Sequence, residues 1–102
     1  MTFASTGTLG VQPGRRDDVV AILTRANPDL IAAGCLSYEV GVDDDHPNTV
    51  FVSELWETAA AHRASLSLDS VRAAIAEAMP LLSGEMSGQQ FEVVGSPLRD
   101  VR

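Results

Sequence analysis

Two runs of alternating side chains, joined by a short polar loop, constrain the fold of this chain more than any other feature. Cys35 to Val42 is the first run and Val50 to Trp56 is the second. A period of two places successive side chains on opposite faces of a strand. The intervening segment 43–48 reads Asp-Asp-Asp-His-Pro-Asn, which is typical of a turn. We therefore predict an antiparallel β-hairpin at the centre of the chain.

The segment before the hairpin has the period of a helix. Apolar residues recur at three- and four-residue steps from Val19 to Ala26. Asn27-Pro28-Asp29 then resembles a helix cap followed by a first-turn proline, so the helix either kinks or restarts there, and Gly34 ends it. A first strand over about residues 2–12 comes before this helix and ends at a Pro-Gly turn.

The segment after the hairpin predicts a pair of helices and a last strand. Thr58 is a good N-cap for the first helix, and Asp69 caps the second. Pro80 distorts the last turn of that second helix, and Gly84 ends it. Residues 83–90 are predicted as a loop and residues 91–94 as the last strand. The second helix has a stripe formed by Val71, Ala74, Ile75, Ala78 and Leu82.

The predicted order is strand, helix, two strands, helix pair, strand. This order is typical of an α+β, ferredoxin-like split βαβ fold with a four-stranded antiparallel sheet and helices on one face. With 102 residues the chain fits a single domain over 1–102, with a core at about 2–95 and a loosely held tail at 96–102.

Apolar side chains fall on both faces of the predicted hairpin. The first strand places Leu36, Tyr38 and Val40 opposite Cys35, Ser37, Glu39 and Gly41. The second places Val50, Val52, Glu54 and Trp56 opposite Phe51, Ser53 and Leu55. Helices cover only one of these faces, so the other needs a partner. We expect a homodimer whose two sheets pack together, a dimeric α+β barrel.

Charge and composition exclude several classes of function. The net charge is −7, with 14 acidic residues against 7 basic ones, and such a field repels nucleic acid. No apolar run approaches the ~20 residues of a membrane span, and the N-terminus lacks a signal pattern, so we expect a cytoplasmic protein that does not bind membranes. Cys35 is the only cysteine and is either a small buried residue or, less simply, a reactive thiol. We expect no metal, because the acids near His46 fit a solvated loop.

The stretch from Glu54 to His62 holds the single tryptophan, Trp56, and one of two histidines. Glu54 shares a strand face with apolar residues, which is typical of a buried or pocket-lining acid. Trp56 either packs in the core or lines a pocket. His62, just after a helix cap, either faces solvent or serves as a base, since its ordinary pKa of about 6.5 leaves it mostly neutral.

Three segments together resemble the antibiotic biosynthesis monooxygenase family. They are Gly34 to Val40, Asp45 to Asn48, and Glu54 to His62, in which the Glu-x-Trp with a downstream histidine is the most specific element. Members of the family form dimeric α+β barrels. Those that are enzymes oxidise phenols and hydroquinones, often polycyclic, with O₂ and without metal or flavin. The resemblance therefore implies a small aromatic substrate and no cofactor.

The resemblance also implies roles for individual residues. His62, Trp56 and Glu54 would be catalytic, with His62 as the base, Trp56 stacking on a planar ring, and Glu54 orienting His62 or replacing it. The substrate would be bound by Tyr38, Phe51 and Arg72. Several family enzymes carry a pocket asparagine beside the tryptophan, which this sequence lacks. Two alternatives stay open: a non-catalytic barrel that binds an aromatic metabolite, and a non-oxidative polyketide cyclase or isomerase.

Overall fold

A computed structural model describes residues 1–99, which fold into four strands and four α-helices. The strands are β1 (Phe3–Val11), β2 (Cys35–Gly41), β3 (Thr49–Trp56) and β4 (Leu82–Glu92). The helices are α1 (Arg16–Leu23), α2 (Pro28–Ala32), α3 (Ala59–Ser65) and α4 (Asp69–Ala78), and a 3₁₀ turn (Met79–Leu81) follows α4.

The four strands form one antiparallel sheet in the order β2-β3-β1-β4. β1 and β4 are neighbours although most of the chain separates them, which is the arrangement of the ferredoxin-like fold. The predicted α+β fold class and the central hairpin are therefore confirmed. No helix within residues 1–99 is long and apolar enough to cross a membrane.

Local chemistry explains where the helices begin. The side chain of Asn27 accepts a hydrogen bond from the Asp29 backbone N–H at 3.1 Å, so α2 restarts after α1 as a separate helix. The Thr58 hydroxyl accepts a hydrogen bond from the Ala61 N–H at 3.0 Å and caps α3. Asp69 does not cap α4, because Leu68 occupies the N-cap position and Asp69 lies in the first turn, where its charge complements the helix dipole.

The core lies between the sheet and α1. Val11 of β1, Val19 of α1 and Val50 of β3 are almost completely buried and pack together. α1 lies over β2 and β3 and also packs against α4. The helices therefore cover one face of the sheet, and the opposite face stays open.

A β-bulge changes the predicted faces of β2. Cys35 pairs with Trp56 and Ser37 with Leu55, so Leu36 is the additional residue. The bulge moves Cys35 to the helix-covered face, where Tyr38 also lies. The strict alternation predicted for this strand is therefore wrong at its first two residues, and the Leu36 side chain is 51% exposed.

The segment 83–90 is part of a strand and not the predicted loop. β4 runs for 11 residues and is exposed along nearly its whole length. Its glycine, serine and glutamine residues have low strand propensity, but pairing with β1 provides the backbone hydrogen bonds. Gly84 does not end α4, because Pro80 already ends it in the 3₁₀ turn; Gly84, at φ +95°, lies where the β1–β4 register shifts.

The predicted tail begins with a turn that is closed by an isolated bridge between Ser96 and Arg99. The remainder of the predicted tail, residues 100–102, lies outside the described part of the chain.

Candidate functional site

Four residues named from the sequence meet on the helix-covered face of the sheet. Glu54 and Trp56 project from this face of β3. Tyr38 of β2 lies directly opposite Glu54 in the register, so these two side chains are cross-strand neighbours. His62 of α3 lies beside Trp56, with ring centroids 5.5 Å apart.

Trp56 fixes the position of the Glu54 carboxylate. Its indole N–H donates a hydrogen bond to Glu54 Oε1 at 3.1 Å. The tryptophan is only 1% exposed, so little of its ring is free to stack on a ligand. This geometry favours a role in holding the acid over the stacking role implied by the resemblance.

His62 is buried and does not face bulk solvent. Its residue exposure is 8%, and its ring lies between Trp56 and Phe3, whose ring centroid is 5.6 Å away at an angle of 36°. His62 Nε2 is 4.0 Å from Glu54 Oε1, an ion-pair distance when the imidazole is protonated but too long for a hydrogen bond. The cap at Thr58 starts α3 so that His62 and Ser65, three residues apart, face inward.

Burial changes the acid–base character of this cluster. It raises the pKa of Glu54 above the ordinary 4.5, although the Trp56 hydrogen bond and the nearby His62 act in the opposite direction. Burial also raises the pKa of Tyr38 to about 12, and the charges of Glu54 and Cys35 add to that effect. At neutral pH Tyr38 is therefore a hydroxyl donor, while Glu54 has a stronger affinity for a proton than an exposed glutamate.

A cavity of about 480 Å³ lies between this cluster and the helices. Tyr38, Glu54, Trp56 and His62 all contribute to its inner wall. Its volume and mixed surface are typical of a site for a small organic molecule. The apolar part of the wall includes Ile22, Leu23, Leu30, Leu66, Val71 and Ile75.

Tyr38 and Glu54 also border a more open cleft of about 470 Å³ over β1 and β4. Gly7 and Gly88 face each other across these strands and contribute to its floor. A Cβ at Gly7 would lie 2.4 Å from the Ser87 backbone oxygen, so only glycine fits there. Glu54 thus borders both the cavity and this cleft.

The structure does not bring Phe51 or Arg72 to this cluster. Phe51 pairs with Gly41 and Thr8 on the open face of the sheet, opposite to the side that carries Glu54. Its ring packs edge-on against His46 at the hairpin. Arg72 is exposed on α4 and lies outside the wall of the cavity. Each residue is adjacent in sequence to one that faces the site, and a shift of one position along a strand or helix turns a side chain to another face.

Polar residues at the outer rim of the cavity were not predicted from the sequence as site residues. Arg25 follows α1 and pairs with Glu77 of α4. Ser70 of α4 donates a hydrogen bond to the Asp29 carboxylate at 2.9 Å and lies within 3.3 Å of the Asn27 amide. The helical spacing of Ser70, Ala74 and Glu77 on one face of α4 was the available signal, but it required knowledge of which face met the cavity.

Cys35 lies on the same side of the sheet, and it is partly buried. Burial, with the charge of Glu54, raises the pKa of its thiol above the ordinary range, so the thiolate is disfavoured at neutral pH. Among residues 1–99, no three histidine, cysteine, aspartate or glutamate side chains converge as a candidate metal site.

The fold and site define a ferredoxin-like domain with a partly buried carboxylate and a buried indole and imidazole at the wall of a largely apolar cavity. The family model for antibiotic biosynthesis monooxygenases matches residues 2–77, about three quarters of the chain. The chain belongs to the antibiotic biosynthesis monooxygenase family. No protein with a curated description matches the sequence.

Solved structures agree with this assignment. A protein of Chloroflexus aurantiacus J-10-fl that carries the family's name is 34% identical, over 97% of this chain and 100% of its own, with a TM-score of 0.79. A protein of the same name from Caulobacter crescentus CB15 is 23% identical, over 92% of this chain and 91% of its own, with a TM-score of 0.76. One from Nitrosomonas europaea is only 10% identical, over 91% and 90%, yet its TM-score is 0.81. At such low identity, the last two comparisons show only that the fold is similar.

Proposed function

We propose that this protein is a cofactor-independent monooxygenase that oxidises a phenolic, hydroquinone or polycyclic aromatic substrate with O₂. One observation carries the proposal: a carboxylate with a raised pKa, Glu54, is held inside an apolar cavity beside a buried imidazole. Family membership supports the general class of reaction.

The proposed reaction begins with loss of the phenol proton to a base. A phenol has a pKa near 10, so a base in a water-poor cavity is needed to populate the phenolate. The phenolate gives one electron to O₂, and the resulting radical and superoxide combine through a C–O bond at a ring carbon that carries hydrogen. The protonated base returns its proton to this peroxide. Loss of water then leaves a quinone, so phenol and O₂ together yield quinone and one water.

Glu54 is the proposed base, and three neighbours support it. Trp56 is a positioning residue, since its N–H holds one carboxylate oxygen. His62, 4.0 Å from the same oxygen, stabilises the negative charge when it is protonated and can receive the proton through a small movement. Tyr38, whose raised pKa keeps its hydroxyl protonated, is suited to donate a hydrogen bond to the oxygen of the substrate.

We also propose that the protein is a homodimer that joins through its open sheet face. Phe51 and Phe91 lie on this face and are 37% and 49% exposed, and Leu55 lies on the same face of β3. A second copy of the chain would bury these side chains. Sedimentation equilibrium should give the mass of two chains, and Phe51→Glu should shift the protein towards monomer. A wild-type protein that remains monomeric at micromolar concentration would contradict the dimer.

The enzymatic proposal is tested by oxygen uptake and by incorporation of isotope-labelled O₂ into the product. The substrates are a monocyclic hydroquinone, a dihydroxynaphthalene and anthrone. Wild type should insert one labelled oxygen, and Glu54→Gln should lower kcat by a factor of about 10² to 10⁴. Asp17→Asn likewise replaces a carboxylate by an amide, at an exposed position of α1, and should retain full activity.

Equal rates in wild type and Glu54→Gln, both at the level of spontaneous oxidation, would refute the proposal. Saturable binding without incorporation of label would instead indicate a non-catalytic binding protein. Turnover without label in the product would indicate a non-oxidative reaction at the same site.

A further inference from the structure

An ion pair closes the outer rim of the cavity. Arg25 follows the C-terminal end of α1, and Glu77 lies near the C-terminal end of α4. The two side chains meet in a bidentate arrangement, with Nη1 to Oε2 at 2.7 Å and Nη2 to Oε1 at 2.5 Å. Both residues line the cavity that contains Glu54 and His62.

Arg25 is the only arginine among the described residues that line this cavity, which also has three carboxylates, those of Asp29, Glu54 and Glu77. A guanidinium recognises a ligand carboxylate best with two parallel N–H groups. Glu77 already occupies the two N–H groups of Arg25 that make such a contact. The pair raises the pKa of Arg25 and lowers that of Glu77, so both stay charged at neutral pH and cancel each other.

The remaining charges oppose an anionic ligand. Glu54 lies partly buried in the wall of the cavity, Asp29 lies at its exposed rim, and the whole chain has a net charge of −7. An anion that enters would therefore meet two carboxylates, while the Nη1 and Nη2 edge of Arg25 is occupied by Glu77. A neutral aromatic molecule carries no charge for these carboxylates to repel, and it can pack against the apolar part of the wall.

We propose that Glu77 is a specificity-determining residue: by occupying Arg25, it restricts the cavity to uncharged aromatic ligands and rejects those that carry a carboxylate. This inference extends the proposed function by naming the charge class of the substrate, and it shares with that function only the assumption that the cavity takes aromatic molecules. Removing the Glu77 carboxylate should free the Arg25 guanidinium to bind the carboxylate of an aromatic ligand.

Isothermal titration calorimetry with two matched probes tests this without requiring turnover. The probes are a naphthol and the corresponding hydroxynaphthoate, at neutral pH and low ionic strength. Wild type should bind naphthol at least about tenfold more tightly. Glu77→Gln should strengthen hydroxynaphthoate binding by about tenfold, the size of one charge-assisted pair, and leave naphthol binding unchanged.

Two controls separate local recognition from net charge. Asp17→Asn removes one negative charge at an exposed position of α1 away from the cavity and should leave both affinities unchanged. The double variant Arg25→Gln with Glu77→Gln should lose the gain for hydroxynaphthoate.

Equal binding of both probes by wild type, an equal gain in Asp17→Asn, or a gain that persists without Arg25 would each overturn the proposal. Failure of wild type to bind naphthol would also overturn it. Loss of oxygen incorporation in the previous experiment, with the predicted affinities intact, would refute the oxygenase function and leave this inference standing.

Discussion

The hydrogen bond from Trp56 to Glu54 allows us to predict how a substitution at Trp56 changes the pKa of the Glu54 carboxyl group. The indole N–H lies 3.1 Å from Glu54 Oε1 and stabilises the charged form. Trp56→Phe removes this donor and keeps an aromatic ring in the same place. The pKa of Glu54, already raised by burial, should therefore rise further.

The size of the change follows from the strength of the bond. A hydrogen bond to a charged group contributes about 1.5–3 kcal/mol, and 1.36 kcal/mol corresponds to one pKa unit. The Glu54 side chain retains 17% exposure, and the smaller phenylalanine leaves room for a water molecule to replace part of the bond. These two effects favour the lower limit, so the expected increase is about one unit.

Carbon NMR of the glutamate carboxyl groups measures this pKa directly, and Glu54→Gln identifies the signal. Val19→Ala serves as a control, because it also removes buried volume but leaves the donor in place. It should leave the titration of Glu54 unchanged. A pKa that stays constant or falls in Trp56→Phe would show that the indole does not hold the carboxylate, and the proposed positioning role of Trp56 would fail.

Three further predictions concern stability and are measured by urea unfolding. Thr58→Ala removes the cap of α3 and should cost about 1 kcal/mol. Gly7→Ala should cost about 2 kcal/mol or more, because the new Cβ would lie 2.4 Å from the Ser87 backbone oxygen, while Gly41→Ala, with its nearest atom at 3.9 Å, should have little effect. The pKa of Glu54 in the folded protein exceeds its ordinary value of 4.5, so between these two pKa values the folded state binds a proton that the unfolded state has lost. This group therefore makes the free energy of unfolding fall as pH rises from the ordinary pKa to the folded-state pKa, and it adds no pH dependence above that range. Glu54→Gln should remove that slope, and an unchanged pH dependence would contradict it.

The sequence determined the features that depend on near neighbours. Asn27 and Thr58 cap helices through bonds to residues two and three positions away, and such contacts can be read from a short segment. Alternation predicted the hairpin and placed Glu54 and Trp56 on one face of β3. The motif that joins them to His62 was enough to recognise the family.

Only the tertiary structure decided the features that depend on distant parts of the chain. β4 exists as a long strand because β1, some 80 positions away in the register, pairs with it, and local propensity opposes that outcome. The bulge at Leu36 reverses the faces of two residues for a similar reason, since the partner strand sets the register. Arg25 and Glu77 meet across 52 positions because α1 and α4 pack together. Short-range patterns fix the elements, while the charge and shape of the cavity arise where those elements pack against each other.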